Sequence, residues 1–118
     1  MKRKYRLRRN SDFLRVRHVG ETHASPFLVL AFLRNNLLHS RFGFVVNRRL
    51  GKAAPRNKIK RRVREAARLR FSHIKPGFDL VFIARQYARS ASYQELADAV
   101  EHLLRQAGLW VEPDENQK

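Results

Sequence analysis

The chain has 118 residues, 43% of them apolar, and a formal net charge of +16; the length suits one domain with a real core, and the charge asks for a polyanionic partner. Cysteine is absent, which excludes disulfides and thiolate metal sites. No apolar run approaches the roughly 18 residues of a membrane span, and no signal-like apolar stretch follows the basic N-terminus, so the cytoplasm is the expected compartment.

The charge is uneven. Residues 1–94 hold 24 basic and 4 acidic residues, whereas residues 95–118 hold 2 basic and 6 acidic. The polyanion should therefore meet the first four-fifths of the chain, and the end should be a solvated helix and tail. Residues 1–110 read as a single domain, with 1–9 as a basic arm and 111–118 as a disordered tail. Arms of this kind often order on nucleic acid.

In chain order, Ser11 is a candidate N-cap and Gly20 a stop for a short amphipathic helix. Glu21 to Leu33 reads as strand, densest over Phe27–Leu33, with a short strand around Thr22–Ala24 and Pro26 at a start, bulge or edge. Asn35-Asn36 fits a turn. Arg41 to Arg48 alternates: Phe42, Phe44 and Val46 take one face, Gly43, Val45 and Asn47 the other. The second set is small enough to floor a groove. Pro55 suits the first position of a helix running to about Phe71. Phe78–Ala84 is a further strand. Ser92 and Glu95 form a capping box for a last helix that Gly108 ends, where Trp110 is expected to cap it. The order α-β-β-β-α-β-α predicts an α+β sandwich of two layers.

The sharpest feature is the helix that starts near Arg56. With Ile59 at zero degrees and 100° per residue, Val63 and Ala66 share its stripe. Asn57, Arg61, Arg64 and Arg68 fall opposite, and Arg56 and Lys60 flank the stripe. Like charges three and four residues apart destabilise an isolated helix by ~0.2–0.5 kcal/mol per pair. Several also sit near the positive end of the helix dipole, and a bound anion relieves both conflicts. A membrane-surface helix would place Trp, Phe or Leu on the dry face; this one places Ile59, Val63 and alanines.

The run Phe42-Gly43-Phe44-Val45-Val46-Asn47-Arg48-Arg49-Leu50-Gly51-Lys52-Ala53, followed by Arg56-Asn57-Lys58-Ile59-Lys60-Arg61, resembles the bacterial ribonuclease P protein component. Ser11-Asp12-Phe13, Val81-Phe82-Ile83-Ala84-Arg85 and Ser92-Tyr93-x-Glu95-Leu96 match in order and spacing, so the likeness covers roughly residues 6–106. It implies a fold like the second domain of ribosomal protein S5, with a left-handed βαβ crossover where strand physics alone predicts a right-handed one. It implies a protein subunit that binds the ribonuclease P RNA and the single-stranded 5′ leader of precursor tRNA, so that the leader is removed endonucleolytically. The RNA performs the hydrolysis with magnesium ions bound mainly by RNA and substrate, and the protein supplies no catalytic or metal-binding residue. No DNA and no membrane partner is implied.

Carried over by position, Arg56, Asn57, Lys58, Lys60, Arg61, Arg64 and Arg68 would form the RNA-binding helix. Phe13, Arg17, Val29, Ala31, Val45, Asn47 and Arg49 would line the leader cleft, between the first helix and the sheet. Lys58 replaces the motif's second arginine, which keeps the charge and loses the bidentate fork. Ala31 and Arg17 stand where relatives often carry a tyrosine and an aromatic, and Val45 replaces a common serine. Such a cleft stacks less and relies more on charge.

Two other classes compete: an rRNA-binding ribosomal or assembly protein, and a self-sufficient nuclease. The nuclease needs two of His18, His23, His39, His73 and His102 brought together by the fold, or paired carboxylates for metals. No such pair is visible in the sequence. Co-purifying RNA separates the three.

Overall fold

The computed structural model describes residues 1–113. Three α-helices and a four-stranded sheet form the domain: α1 (Asn10–Val19), β1 (Glu21–Ala24), β2 (Leu28–Arg34), β3 (Arg41–Val45), α2 (Ala53–Leu69), β4 (Phe78–Ala84) and α3 (Tyr93–Gln106). The predicted order holds. Residues 114–118 of the expected tail lie outside the described residues.

The strand order is β1-β2-β4-β3. β4, the last strand in the chain, is central: it pairs antiparallel with β2 and parallel with β3. The crossover between β3 and β4 carries α2. Alternation along each strand splits the sheet into two faces. Leu28, Leu30, Phe42, Leu80 and Phe82 face α2 and α3 in the main core, joined by Ile59, Val63, Leu96, Val100, Leu103 and Leu104. On the opposite face α1 seats Val16 over Ala31 and Val81, with Leu7 of the arm beside them.

Several boundaries differ from the sequence reading. α1 begins at Asn10; Arg9 precedes it without a side-chain cap, and Ser11 lies inside the first turn. Gly20 does end α1, and it has no room for a side chain: a Cβ would stand 2.4 Å from the carbonyl oxygens of Val16 and Phe32. Between β1 and β2, Ser25 Oγ accepts from the Phe27 and Leu28 amides, which turns the chain at Pro26. β3 stops at Val45, because Asn47 caps a 3-10 turn over Arg48–Leu50 by accepting from the Arg49 amide. Pro55 is the third residue of α2, still within the first turn, whose N–H groups have no intrahelical partner. The capping box is present, with Ser92 Oγ accepting from the Glu95 amide and Glu95 from the Ser92 amide. Gly108 follows α3 with φ 75°. Trp110 does not cap α3 directly: it pairs with Ile74 and lies between His73 and Arg105.

Candidate nucleic-acid interface

The face of the sheet that carries α1 resolves into three cross-strand rows. Register places Leu33, Asp79 and Arg41 in one, Ala31, Val81 and Gly43 in the next, and Val29, Ile83 and Val45 in the third, which β1 extends with Ala24. The middle row is roofed by α1. Gly43 is the slot for Phe13, since a Cβ there would come within 2.3 Å of the Phe13 ring. The third row is left open: Val29, Ile83 and Val45 are half-buried and Ala24 is exposed. At roughly 4.8 Å between strands it makes a smooth aliphatic floor about 15 Å long.

α1 is oriented by its two flanks. Asp12 and Arg15 lie on the side of the Asp79–Arg41 row. Phe13 and Arg17, one turn apart, project from the other flank, so they border the open row. Of the seven cleft residues expected from sequence, Val29 and Val45 belong to this floor, Phe13 sits in the neighbouring row over Gly43, and Arg17 is exposed on α1. Ala31 is not part of the floor: it is fully buried beneath Val16, because α1 crosses the sheet one row nearer than the sequence could show. Asn47 and Arg49 are exposed past the end of β3; strand parity does not place Arg49, which belongs to the 3-10 turn. Ile83 completes the floor and was missed, although its alternation with Val81 in Phe78–Ala84 carries the signal.

On α2 the hydrophobic stripe is as predicted, with Ile59, Val63, Ala66 and Ala67 buried. The cations divide by surroundings. Asn57, Lys58 and Arg61 are exposed, and Arg56, Lys60 and Arg64 are half-buried. Arg68 is exposed but tied to Glu65 by two hydrogen bonds of 2.9 and 2.6 Å. Arg64 lies 5.8 Å from the Phe44 ring centre, so it is not the free side chain that its position opposite Ile59 implied. Burial, and then the charge of Arg6, pull its pKa below the ordinary arginine value.

Arg6 belongs to the arm, whose residues were absent from the sequence-derived site. The arm runs beside β3: Leu7 donates its amide to the Phe42 carbonyl at 2.8 Å, and Tyr5 packs on Phe71 with ring centres 4.7 Å apart. Between arm, β3 and α2 lies a groove of about 1340 Å³. Arg3, Lys4, Arg6, Arg8 and Arg9 line it from the arm, Lys60 and Arg64 from α2, and Arg41 from β3, with Phe13 and Phe44 exposed to it from the two sides of the sheet edge. Asp12 is the one acid among its lining residues. The groove thus wraps the edge of β3 and joins the α1 face to the cationic side of α2.

Acids elsewhere are engaged: Glu21 with His23, Glu65 with Arg68, and Asp79 with arginines. Among the described residues no group of three or more His, Asp or Glu side chains could hold a metal ion. No described helix is long and apolar enough to cross a membrane.

Known proteins share this arrangement. The sequence model of the family Ribonuclease P matches residues 1–108. The ribonuclease P protein component of Herpetosiphon aurantiacus is 46% identical over 110 residues, covering 93% of this chain and 89% of its own. That of Clostridium novyi is 38% identical over 112 residues, covering 93% and 99%. The solved RNase P protein of Staphylococcus aureus superposes with a TM-score of 0.83 at 36% identity, covering 90% of this chain and 97% of its own; that of Thermotoga maritima gives 0.79 at 35%, covering 86% and 96%. With matches of that length at that identity, the chain belongs to the ribonuclease P protein component family.

Proposed function

We propose that this chain is the protein subunit of a bacterial ribonuclease P, binding the catalytic RNA through α2 and the arm, and the 5′ leader of precursor tRNA along the open row of the sheet. The observation that supports this most is the cationic groove around β3, lined by Phe13 and Gly43 from the α1 face and by Lys60 and Arg64 from α2, on the same sheet face as a smooth aliphatic floor suited to unpaired bases. Val29, Ile83 and Val45 give van der Waals contact without demanding a base identity. Phe13 offers an aromatic ring at the groove, and stacking on an aromatic is worth ~1–3 kcal/mol per base. Arg17, Asn47 and Arg49 sit where the leader's phosphates would pass. Exposed Lys58 and Arg61, with Lys60 and Arg64 in the groove, would neutralise phosphates of the larger RNA, and exposed Asn57 would hydrogen-bond to it.

Hydrolysis in this reading belongs to the RNA. Magnesium in this reading is held by RNA and substrate. The protein raises the local concentration of the leader and fixes its direction, which is catalysis by positioning. The expected setting is the cytoplasm, where precursor tRNA is made.

The reading is tested by reconstitution with ribonuclease P RNA and magnesium. Replacing Arg17 and Val45 by Glu should weaken binding of precursor tRNA while mature tRNA, which lacks the leader, binds nearly as before. Replacing Arg61 and Lys58 by Ala should weaken binding of the large RNA and lower the salt slope of its affinity by roughly 0.7–0.9 per lost phosphate contact. Equal losses for both tRNAs, cleavage by the protein without RNA, or recovery of ribosomal RNA alone from cells would overturn it.

A further inference from the structure

We infer that Asp79 and Arg15 form a tether that positions α1 over the sheet and so sets the width of the open groove; the inference deepens the leader reading above and rests on it. Asp79 is 1% exposed, deep in a protein of net charge +16. Its carboxylate accepts from Arg41 Nε at 2.9 Å and Nη2 at 2.7 Å, from Asn35 Nδ2 at 2.9 Å, and from Arg15 Nη2 at 3.3 Å. One side chain on β4 is thereby joined to β3, to the β2–β3 turn and to α1.

The three partners differ in what they can do. Arg41 is Asp79's neighbour in the sheet register, so their fork is internal to the sheet, and its hydrogen bonds raise the Arg41 pKa. Asn35 also donates to the His39 carbonyl at 3.1 Å, which fixes the turn. Arg15 alone reaches from α1. Beside it, Asp12 approaches Arg15 at 3.5 Å and Arg41 at 3.9 Å, so two side chains of one flank of α1 face this cluster. Phe13, next to Asp12, then drops into the slot above Gly43.

A buried ion pair adds little net stability over a well-packed apolar replacement, since desolvation offsets attraction. What it supplies is direction. Val16 alone would let α1 roll or slide on Ala31 and Val81, because dispersion contacts are not directional. Pinned at the Asp12–Arg15 flank, α1 holds Phe13 in its slot over Gly43, on the side of the helix toward the open row of Val29, Ile83 and Val45. Arg15 is half-exposed, so cutting it leaves Asp79 still satisfied by Arg41 and Asn35, and the fold intact. It is a positioning residue rather than a contact residue.

The test compares Arg15→Met with Arg15→Lys in the reconstituted ribonucleoprotein. The Met variant should lose the preference for precursor over mature tRNA by roughly two- to fivefold, the scale of a half-exposed ion pair, with affinity for the large RNA unchanged. The Lys variant should recover most of that preference. Amide hydrogen exchange should quicken in α1 of the Met variant and stay as it was in α2 and α3. Unchanged exchange in α1 would overturn the tether however the tRNA results fall. So would an equal weakening of every RNA with a lowered salt slope, which would make Arg15 a direct phosphate contact. If the unaltered protein showed no preference for precursor tRNA, the leader reading would fall, and the exchange data would still decide the tether.

Discussion

Arg61 and Arg68 project from the same side of α2, about two turns apart, yet their situations differ. Arg61 is exposed, whereas Arg68 is held by Glu65 in a two-pronged pair. Those hydrogen bonds, then the charge of Arg68, keep the Glu65 carboxyl below its ordinary value. A depressed carboxylate pairs fully above the ordinary range and releases its partner as the pH falls through the lowered value. At neutral pH, Arg68 is thus partly withheld from any other anion. Arg61→Ala should cost more affinity for ribonuclease P RNA than Arg68→Ala, and Glu65→Gln should raise it, read as dissociation constants across a salt series. The cations of α2 were legible because charge is written in the sequence and a helical wheel gives each its angle. Their neighbours were not. The wheel put Arg64 opposite Ile59 correctly, but the ring of Phe44 and the arm that half-bury it arrive from 20 and 58 residues away.

Elements were legible where their ends are closed locally. Ser92 and Glu95 satisfy each other's amides three residues apart, so the start of α3 could be read from four letters. Ser92→Ala should lower stability by ~1 kcal/mol, measured by urea unfolding, and leave RNA affinity unchanged, since α3 packs behind α2 on the core side of the sheet. The start of α1 reads two residues late from the sequence for the opposite reason: Arg9 precedes the helix with no side-chain cap, whereas Ser11, a good capping residue, lies inside the first turn. β3 ended early because the side chain of Asn47 is used to close a turn, an alternative to the ladder that Asn offers wherever the chain can bend. The open row of the cleft was legible in part. Alternation gave Val45 its face, but which row α1 would cover depends on the Gly43 slot and on the Asp79 cluster, both assembled from distant segments. That is why Ala31 was expected in the cleft and lies under α1, while Ile83 was overlooked.

At the scale of the whole molecule, charge is the dominant tension. Eight Lys and Arg side chains converge on the groove around β3 against one Asp, and docking the arm adds the repulsion of its five cations against Arg41, Lys60 and Arg64. An anion that bridges arm and α2 should therefore stabilise the native state. A ligand that binds the native state alone adds about 2.7 kcal/mol at 100 times its dissociation constant. Sulfate at fixed ionic strength should raise the melting temperature, and removal of residues 1–6 should abolish most of that rise; an unshifted melting temperature in the intact chain would count against a docked, anion-bridged arm. The same architecture imposes a sequence in time. β4 is the middle strand of the sheet and the last to be made, so β3 has no neighbouring strand, and α1 no Val81 or Asp79 to rest on, until residue 84 has left the ribosome. Closure of the sheet by β4 is therefore the event that gathers charge spread along the chain into one shaped surface.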